Sequence, residues 1–258
     1  MWSSRAGSGP PLLLLHGVGA THADFTQVRP DLQQSFDVVS VDLPGHGRSP
    51  QLARPPTIQA LTDSLESHLD DLGIDAVHVL GNSLGGRLAL ELAARRRAHS
   101  VVAIAPFGPA WPFERSAQGA ALTGGGLALL ALRPLAPTLA LHWWGRSALL
   151  GGVRVQPWKA TPEEAEEFGR TMGSRGYWAT LRANVADVPF EASAVRCPVV
   201  LAQGTADLIS FGQTMRFARL IPGSKFAWLP FAGHAAQGDA PNAVAALVRD
   251  TAALASVA

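Results

Sequence analysis

The chain predicts an α/β architecture: a mostly parallel sheet with helices on both faces, interrupted by a helical insertion. Two observations predict the sheet. Up to Pro106 short strand-like runs alternate with helical-period segments, and those runs are apolar throughout, as in strands covered on both faces. A third observation predicts the insertion: from Phe107 to about Pro189 no strand-like run occurs, only apolar segments rich in Trp, Leu and Ala. The division that follows is a core of residues 1–106 and 190–258, with an insertion of residues 107–189.

Taken in order, Gly7-Ser8-Gly9-Pro10-Pro11 is a turn and Leu12–Leu15 a buried strand ending in His16-Gly17-Val18-Gly19. Asp24–Gln34 reads as a helix, and Val38–Val41 as the next strand, running into Asp42-Leu43-Pro44-Gly45-His46-Gly47-Arg48-Ser49. The spacing of Ile58, Leu61, Leu65, Leu69 and Leu72 marks an amphipathic helix stopped by Gly73. Ala76–Leu80 is a strand, Leu84–Arg97 a helix and Val101–Ile104 a strand. Within the insertion, Thr161-Pro162-Glu163-Glu164 is a capping box with proline at the first helical position. Strands return at Pro198–Ala202 and Lys225–Leu229, with helices at about 212–220 and 241–254.

Composition narrows the function classes. The 258 residues are 47% hydrophobic and 16% charged, which suits a large globular domain. Net charge is +1, and the one basic run, Arg95-Arg96-Arg97, falls at a helix C-terminus where cations complement the dipole, so no nucleic-acid partner is indicated. Cys197 is the only cysteine, which excludes an internal disulfide or a cysteine-built metal site. The N-terminus lacks the apolar core of a secretory signal. Leucine-rich 127–141 is broken by Arg133, Pro134 and Pro137 before it reaches the length of a span. A cytoplasmic, soluble protein without a membrane span is expected; its oligomeric state is not legible.

The chemistry centres on Gly81-Asn82-Ser83-Leu84-Gly85-Gly86, between a buried strand and a helix. Glycines there let strand and helix pack closely around a strained turn that lifts the Ser83 hydroxyl above the sheet. The amides opening the following helix are free donors, suited to a developing oxyanion. In a parallel sheet, functional groups collect at the carboxyl ends of strands. His16-Gly17-Val18, Ser83, Asp207 and His234 all fall at such ends.

With Asp42-Leu43-Pro44-Gly45-His46-Gly47-Arg48-Ser49, Gly204-Thr205-Ala206-Asp207 and Gly233-His234, these motifs in this order resemble the α/β-hydrolase superfamily. The resemblance runs from about Gly9 to the C-terminus, the insertion apart; the N-terminal β-hairpin of many members is reduced here to a few residues before Gly9, so a smaller sheet is expected at that edge. It implies a catalytic triad of Ser83 as nucleophile, His234 as base and Asp207 as the acid that orients the imidazole. It also implies an oxyanion hole from the amides of Val18 and Leu84, with Gly17 allowing close backbone approach. With no cysteine pair, no His-x-x-x-His helix and no dinucleotide glycine loop in the sequence, no metal or organic cofactor is expected. His22 and Asn82 are candidate substrate contacts or surface and turn residues; Asp42 and His46 are expected to hold a loop.

The implied function is a serine hydrolase acting on a small-molecule carboxylic ester, thioester or lactone with a sizeable apolar portion. Carbon–carbon bond hydrolysis of vinylogous diketones is an alternative, although Ala235 follows His234 where such relatives often carry tryptophan. Further alternatives are a tailoring or cyclising enzyme on this fold, and a receptor that has lost turnover. The superfamily commonly places a lid where the insertion falls. Its surplus of apolar residues, Leu127, Leu129, Leu130, Leu132, Leu135, Leu139 and Leu141 with Trp111, Trp143, Trp144 and Trp158, leaves three readings open: a cavity lining over Ser83, core between cap helices, or a dimer surface.

Overall fold

In a computed structural model describing residues 1–183, 189–210 and 212–255, seven strands form one sheet. In chain order they are β1 (Ser3–Gly7), β2 (Pro11–Leu15), β3 (Asp37–Val41), β4 (Val77–Asn82), β5 (Ala98–Ile104), β6 (Val199–Gly204) and β7 (Lys225–Leu229). Their spatial order is β1-β3-β2-β4-β5-β6-β7, and every pairing is parallel except β1 with β3. The helices are α1 (Arg29–Leu32), α2 (Ile58–Asp71), α3 (Leu84–Ala94), α4 (Pro112–Leu132), α5 (Ala136–Ala140), α6 (Trp143–Leu150), α7 (Pro162–Thr171), α8 (Arg175–Ala183), α9 (Gln213–Leu220), α10 (Ala236–Asp239) and α11 (Pro241–Ala255).

The alternating side chains of the strands feed two apolar layers. On one face Leu13, Val39, Val79, Val101 and Leu201 meet Leu61 and Leu65 of α2, Leu88 and Leu92 of α3, and Phe217 of α9. On the other, Leu12, Leu14, Leu80, Val102 and Ala202 meet Phe25 and Leu32 near the N-terminal edge and Val244 and Val248 of α11. Each buried leucine or valine contributes about 1.5–3 kcal/mol relative to exposure. This two-sided burial makes β2 to β6 largely apolar and therefore legible. Between β5 and β6, α4 to α8 have a separate apolar centre that includes Leu129, Ala136, Leu149, Leu150, Ala165, Met172 and Tyr177. The described residues of the insertion form helices joined by turns and irregular segments, with no strand among them; 184–188, which lead to its expected boundary at Pro189, lie outside them.

Two expectations need correction. At the N-terminal edge the few residues before Gly9 supply one antiparallel strand that the apolar runs did not mark, Ser3 opposite Val41 and Gly7 opposite Asp37. Its polar sequence follows from its exposed edge position, where Arg5 also bonds Asp37 across the pair at 2.5 Å. Asp24–Gln34 is not one helix but a 3-10 turn, His22–Phe25, and the single turn α1. Thr21 caps the first by accepting from the Ala23 amide, and Pro30, which lacks an amide hydrogen, opens the second. The helix after Ser83 ends at Ala94, and the arginines beyond it turn back onto α2. Arg95 pairs with Asp63 and Glu66, and Arg97 with Asp70, which occupies two charges of the basic run.

Candidate active site

β4 carries the chain into Ser83, whose backbone is left-handed at φ 54° and ψ −114°. A serine pays a steric penalty there that its surroundings must hold in place. They do so from both sides. The Ser83 amide donates to Ile104 O at 2.9 Å, and the Ser83 carbonyl accepts from the Arg87 and Phe107 amides, both at 3.0 Å. Close packing then demands glycine: a Cβ on Gly81 would lie 2.2 Å from Gly85 O, and one on Gly85 would lie 2.0 Å from Leu15 O. Leu84 opens α3, so its amide has no partner within the helix and lies at the positive end of the dipole. Gly17 brings the loop after β2 against this turn, its hypothetical Cβ 3.3 Å from Ser83 Cβ.

β6 and β7 deliver the other two polar groups. His234 Nδ1 donates to Asp207 Oδ2 at 3.0 Å, and both residues are buried. The carboxylate is saturated: Oδ1 accepts the amides of Ile209 at 2.8 Å and Ser210 at 3.3 Å, while Oδ2 also accepts Gln203 Nε2 at 2.6 Å and the Ser210 hydroxyl. Burial alone would raise its pKa, but the facing imidazole and these donors hold it far below the ordinary carboxylate range. For His234 burial disfavours the charged form, yet the charge and hydrogen bond of Asp207, helped by Asp24, hold its pKa above the ordinary 6.5.

Ser83 and His234 line one chamber of about 410 Å³ with Gly17, Asn82 and Asp24, and Ser83 also borders a second of about 590 Å³; both are partly open to solvent, which these volumes include. The second is bounded by Leu84, Phe107, Gln118, Leu181 and Ile209, and Val18 borders both. Thus Ser83, His234, Val18, Leu84, Gly17 and Asn82 converge, with Asp207 behind the imidazole. The Asn82 amide nitrogen donates to His234 O at 2.8 Å and Ile104 O at 3.3 Å, so it also ties the His234 loop to the serine turn.

His22 borders neither chamber: its Nδ1 donates to Asp42 Oδ1 at 2.8 Å, and its ring lies against Trp2. Asp42 holds its loop through the His22 and Arg48 amides as well, and these bonds overcome burial to lower its pKa to about 2. His46 is buried beside it with Nδ1 on Pro44 O. None of the eleven insertion residues singled out by composition lines either chamber. Leu129 lies in the insertion's own centre, whereas Leu127, Leu130, Leu135, Leu141 and the four tryptophans are exposed.

One cluster had no sequence signal. Asp24, read only as the start of a helix, lines the His234 chamber; its carboxyl accepts Gln237 Nε2 at 2.5 Å and lies 3.7 Å from Arg154. Arg154 in turn donates to Glu164 at 3.0 Å, and all three side chains are nearly inaccessible. Burial raises the pKa of Asp24. Glu164 also completes the capping box, accepting the Thr161 amide at 2.6 Å. That local signature is visible in sequence; the ion pair to Arg154 is not.

A family model for the α/β hydrolase fold matches residues 10–241. The pimeloyl-[acyl-carrier protein] methyl ester esterase of Neisseria meningitidis serogroup C is 30% identical over 257 residues, covering 92% of this chain and 91% of its own. The enol-lactonase of Burkholderia xenovorans LB400 superposes with a TM-score of 0.76 at 22% identity, over 97% of this chain and 95% of the other. A meta-cleavage product hydrolase of Pseudomonas fluorescens IP01 superposes at 0.74 and 19%, over 96% and 92%. By sequence match and by architecture alike, this chain is a hydrolase of the α/β-hydrolase family.

Proposed function

We propose that the protein is a serine hydrolase that cleaves a carboxylic ester, thioester or lactone with a sizeable apolar portion through an acyl-enzyme. The observation that carries this reading is the Asp207–His234 couple opening into the same chamber as Ser83 on its strained turn. His234 takes the Ser83 proton as Oγ attacks the carbonyl carbon, and Asp207 stabilises the imidazolium. The amides of Val18 and Leu84 receive the oxyanion. Collapse of the tetrahedral intermediate breaks the carbonyl–heteroatom bond, with the imidazolium proton passing to the leaving group. Water, deprotonated by His234, then releases the acid and restores Ser83.

Residues 107–189 act in this reading as a cap over the serine. The leaving atom must reach His234, so the leaving group occupies the chamber that His234 lines. The acyl part then lies in the larger chamber between Leu84, Phe107, Leu122 and Leu181. The relative that acts on a methyl ester combines a long acyl part with a small leaving group, which agrees with that assignment. No metal or organic cofactor enters the scheme, since the triad supplies nucleophile and base.

Rates with acetyl, butyryl and octanoyl esters of one alcohol test the reading. Burial worth about 0.8 kcal/mol per methylene raises kcat/KM up to about fourfold per added carbon until the chamber is full. A preference for acetyl, or turnover of a vinylogous diketone with none of any ester, would replace this proposal.

A further inference from the structure

The surface of the insertion carries a feature that the chemistry at Ser83 does not use. Among the solvent-exposed residues from Ser116 to Trp144 none is Asp, Glu, Lys or Arg, and His142 is the one titratable side chain. Leu127, Leu130, Leu135 and Leu141 are exposed along this stretch, with Trp111 and Phe113 just before it and Trp143 and Trp144 at its end in the chain. Pro112–Ala140, 29 residues, is apolar enough by length and composition to cross a membrane, yet α4 leaves most of its length exposed while α5 packs on α6 and α7. A face of this kind on a soluble domain marks an interaction surface.

Charge at its rim selects the occupant. Residues 107–160 contain five cationic side chains and one acid, Glu114, which is engaged by Arg216; of the five, Arg154 is buried on Glu164 and Asp24 and belongs to the interior. Among the described residues, Arg133, Arg146 and Lys159 form no ion pair. Arg133 donates to Met172 O, and Arg146 to Ala140 O and Trp158 O, so their charges are uncompensated. A second copy seated face to face would bring the same cations to the same rim. A phosphate-bearing lipid surface would neutralise them, and exposed tryptophans suit the boundary between headgroups and acyl chains.

We propose that this face, centred on α4, docks the protein on an anionic lipid surface, lying in the interface without spanning it. The placement has a consequence for access. The inner side of the same helix, at Gln118, Gly119 and Leu122, lines the larger chamber at Ser83. An apolar substrate dissolved in the lipid would then lie one helix away from the serine. The docking itself does not depend on the hydrolytic reading.

Cosedimentation with vesicles tests it. The wild-type chain, and equally Ser83→Ala, is expected to pellet with phosphatidylcholine–phosphatidylglycerol vesicles, to pellet less with phosphatidylcholine alone, and to be released by salt. Leu127→Glu combined with Trp143→Glu places charges at exposed sites outside the chambers. It should lower partitioning by about tenfold or more while turnover of a short soluble ester stays unchanged. Lys159→Glu should weaken binding to anionic vesicles only. Failure of the wild type to bind anionic vesicles at low salt would overturn the proposal. So would undiminished binding by the double variant, or a concentration-dependent dimer in analytical ultracentrifugation that the same substitutions dissolve.

Discussion

Asp207→Asn perturbs the proposed site with the least change in shape, and the hydrogen-bond pattern dictates how it acts. Oδ1 accepts two backbone amides, Ile209 and Ser210, whose hydrogens cannot turn away. The asparagine oxygen must therefore take that position, leaving its NH2 group where Oδ2 now accepts His234 Nδ1 at 3.0 Å. Facing a donor, Nδ1 has to become the acceptor, and the ring proton moves to Nε2. A neutral imidazole with that tautomer has no lone pair for the serine proton. The expected loss in kcat is on the order of 10⁴-fold, the cost of the wrong tautomer in a serine-protease triad. Stability should fall only by about 1–3 kcal/mol, from the donors left facing the amide.

The pH profile supplies an independent readout. In the wild type His234 must be neutral to act as base, so kcat/KM rises with pH through its pKa, which lies above the ordinary 6.5. Without the Asp207 charge, burial is opposed only by Asp24, and the acid limb of the residual activity moves to lower pH. Ester hydrolysis by purified protein across pH 5 to 9, about the range in which imidazole titrates, measures both effects. A loss of less than about tenfold, or an acid limb that stays in place, would refute the tautomer argument.

Two further outcomes follow from the scaffold. Gly85→Ala, whose Cβ would lie 2.0 Å from Leu15 O and 2.7 Å from His16 O, forces α3 away from β2. A stability loss of about 3 kcal/mol or more, with turnover lost as well, is expected in denaturant melts and esterase assays; a variant of wild-type stability would show the elbow to be looser than described. Asp42→Asn should cost about 2 kcal/mol at neutral pH, from the fall of the carboxyl pKa from 3.8 to about 2 on folding. Because that pKa is depressed, the benefit is complete above the unfolded value and disappears as pH falls through the folded one. The two proteins' stabilities should converge over that window, and a constant gap would contradict the assignment.

What could be read in the sequence followed from how each feature is encoded. β2 to β6 are buried on both faces, so their apolar runs stand out without any partner being known. Ser83, Asp207 and His234 each follow a strand, and the order of their motifs carries the rest. β1 is held to β3 by backbone pairing at an exposed edge and needs no apolar run, so its Ser-Ser-Arg sequence was invisible. Asp24, Arg154, Glu164 and Gln237 meet through contacts as distant in sequence as Asp24 and Gln237, and no local pattern announces such a cluster. His22 follows a similar rule: its neighbours in sequence suggest the site, but its ring is taken by Asp42, twenty positions on. The insertion's leucines and tryptophans were conspicuous, whereas the side they face is a property of helix packing that composition does not encode.

The central claim is that Ser83 is the covalent nucleophile, and trapping it is the most direct test. The protein would be treated with a fluorophosphonate and analysed by intact mass and peptide mapping, alongside Ser83→Ala and protein unfolded before treatment. One phosphonyl adduct per chain, located on the peptide bearing Gly81-Asn82-Ser83-Leu84-Gly85 and absent from both controls, is the expected result. An unmodified chain that still hydrolyses esters, or an adduct that persists in Ser83→Ala, would contradict the assignment of Ser83 outright.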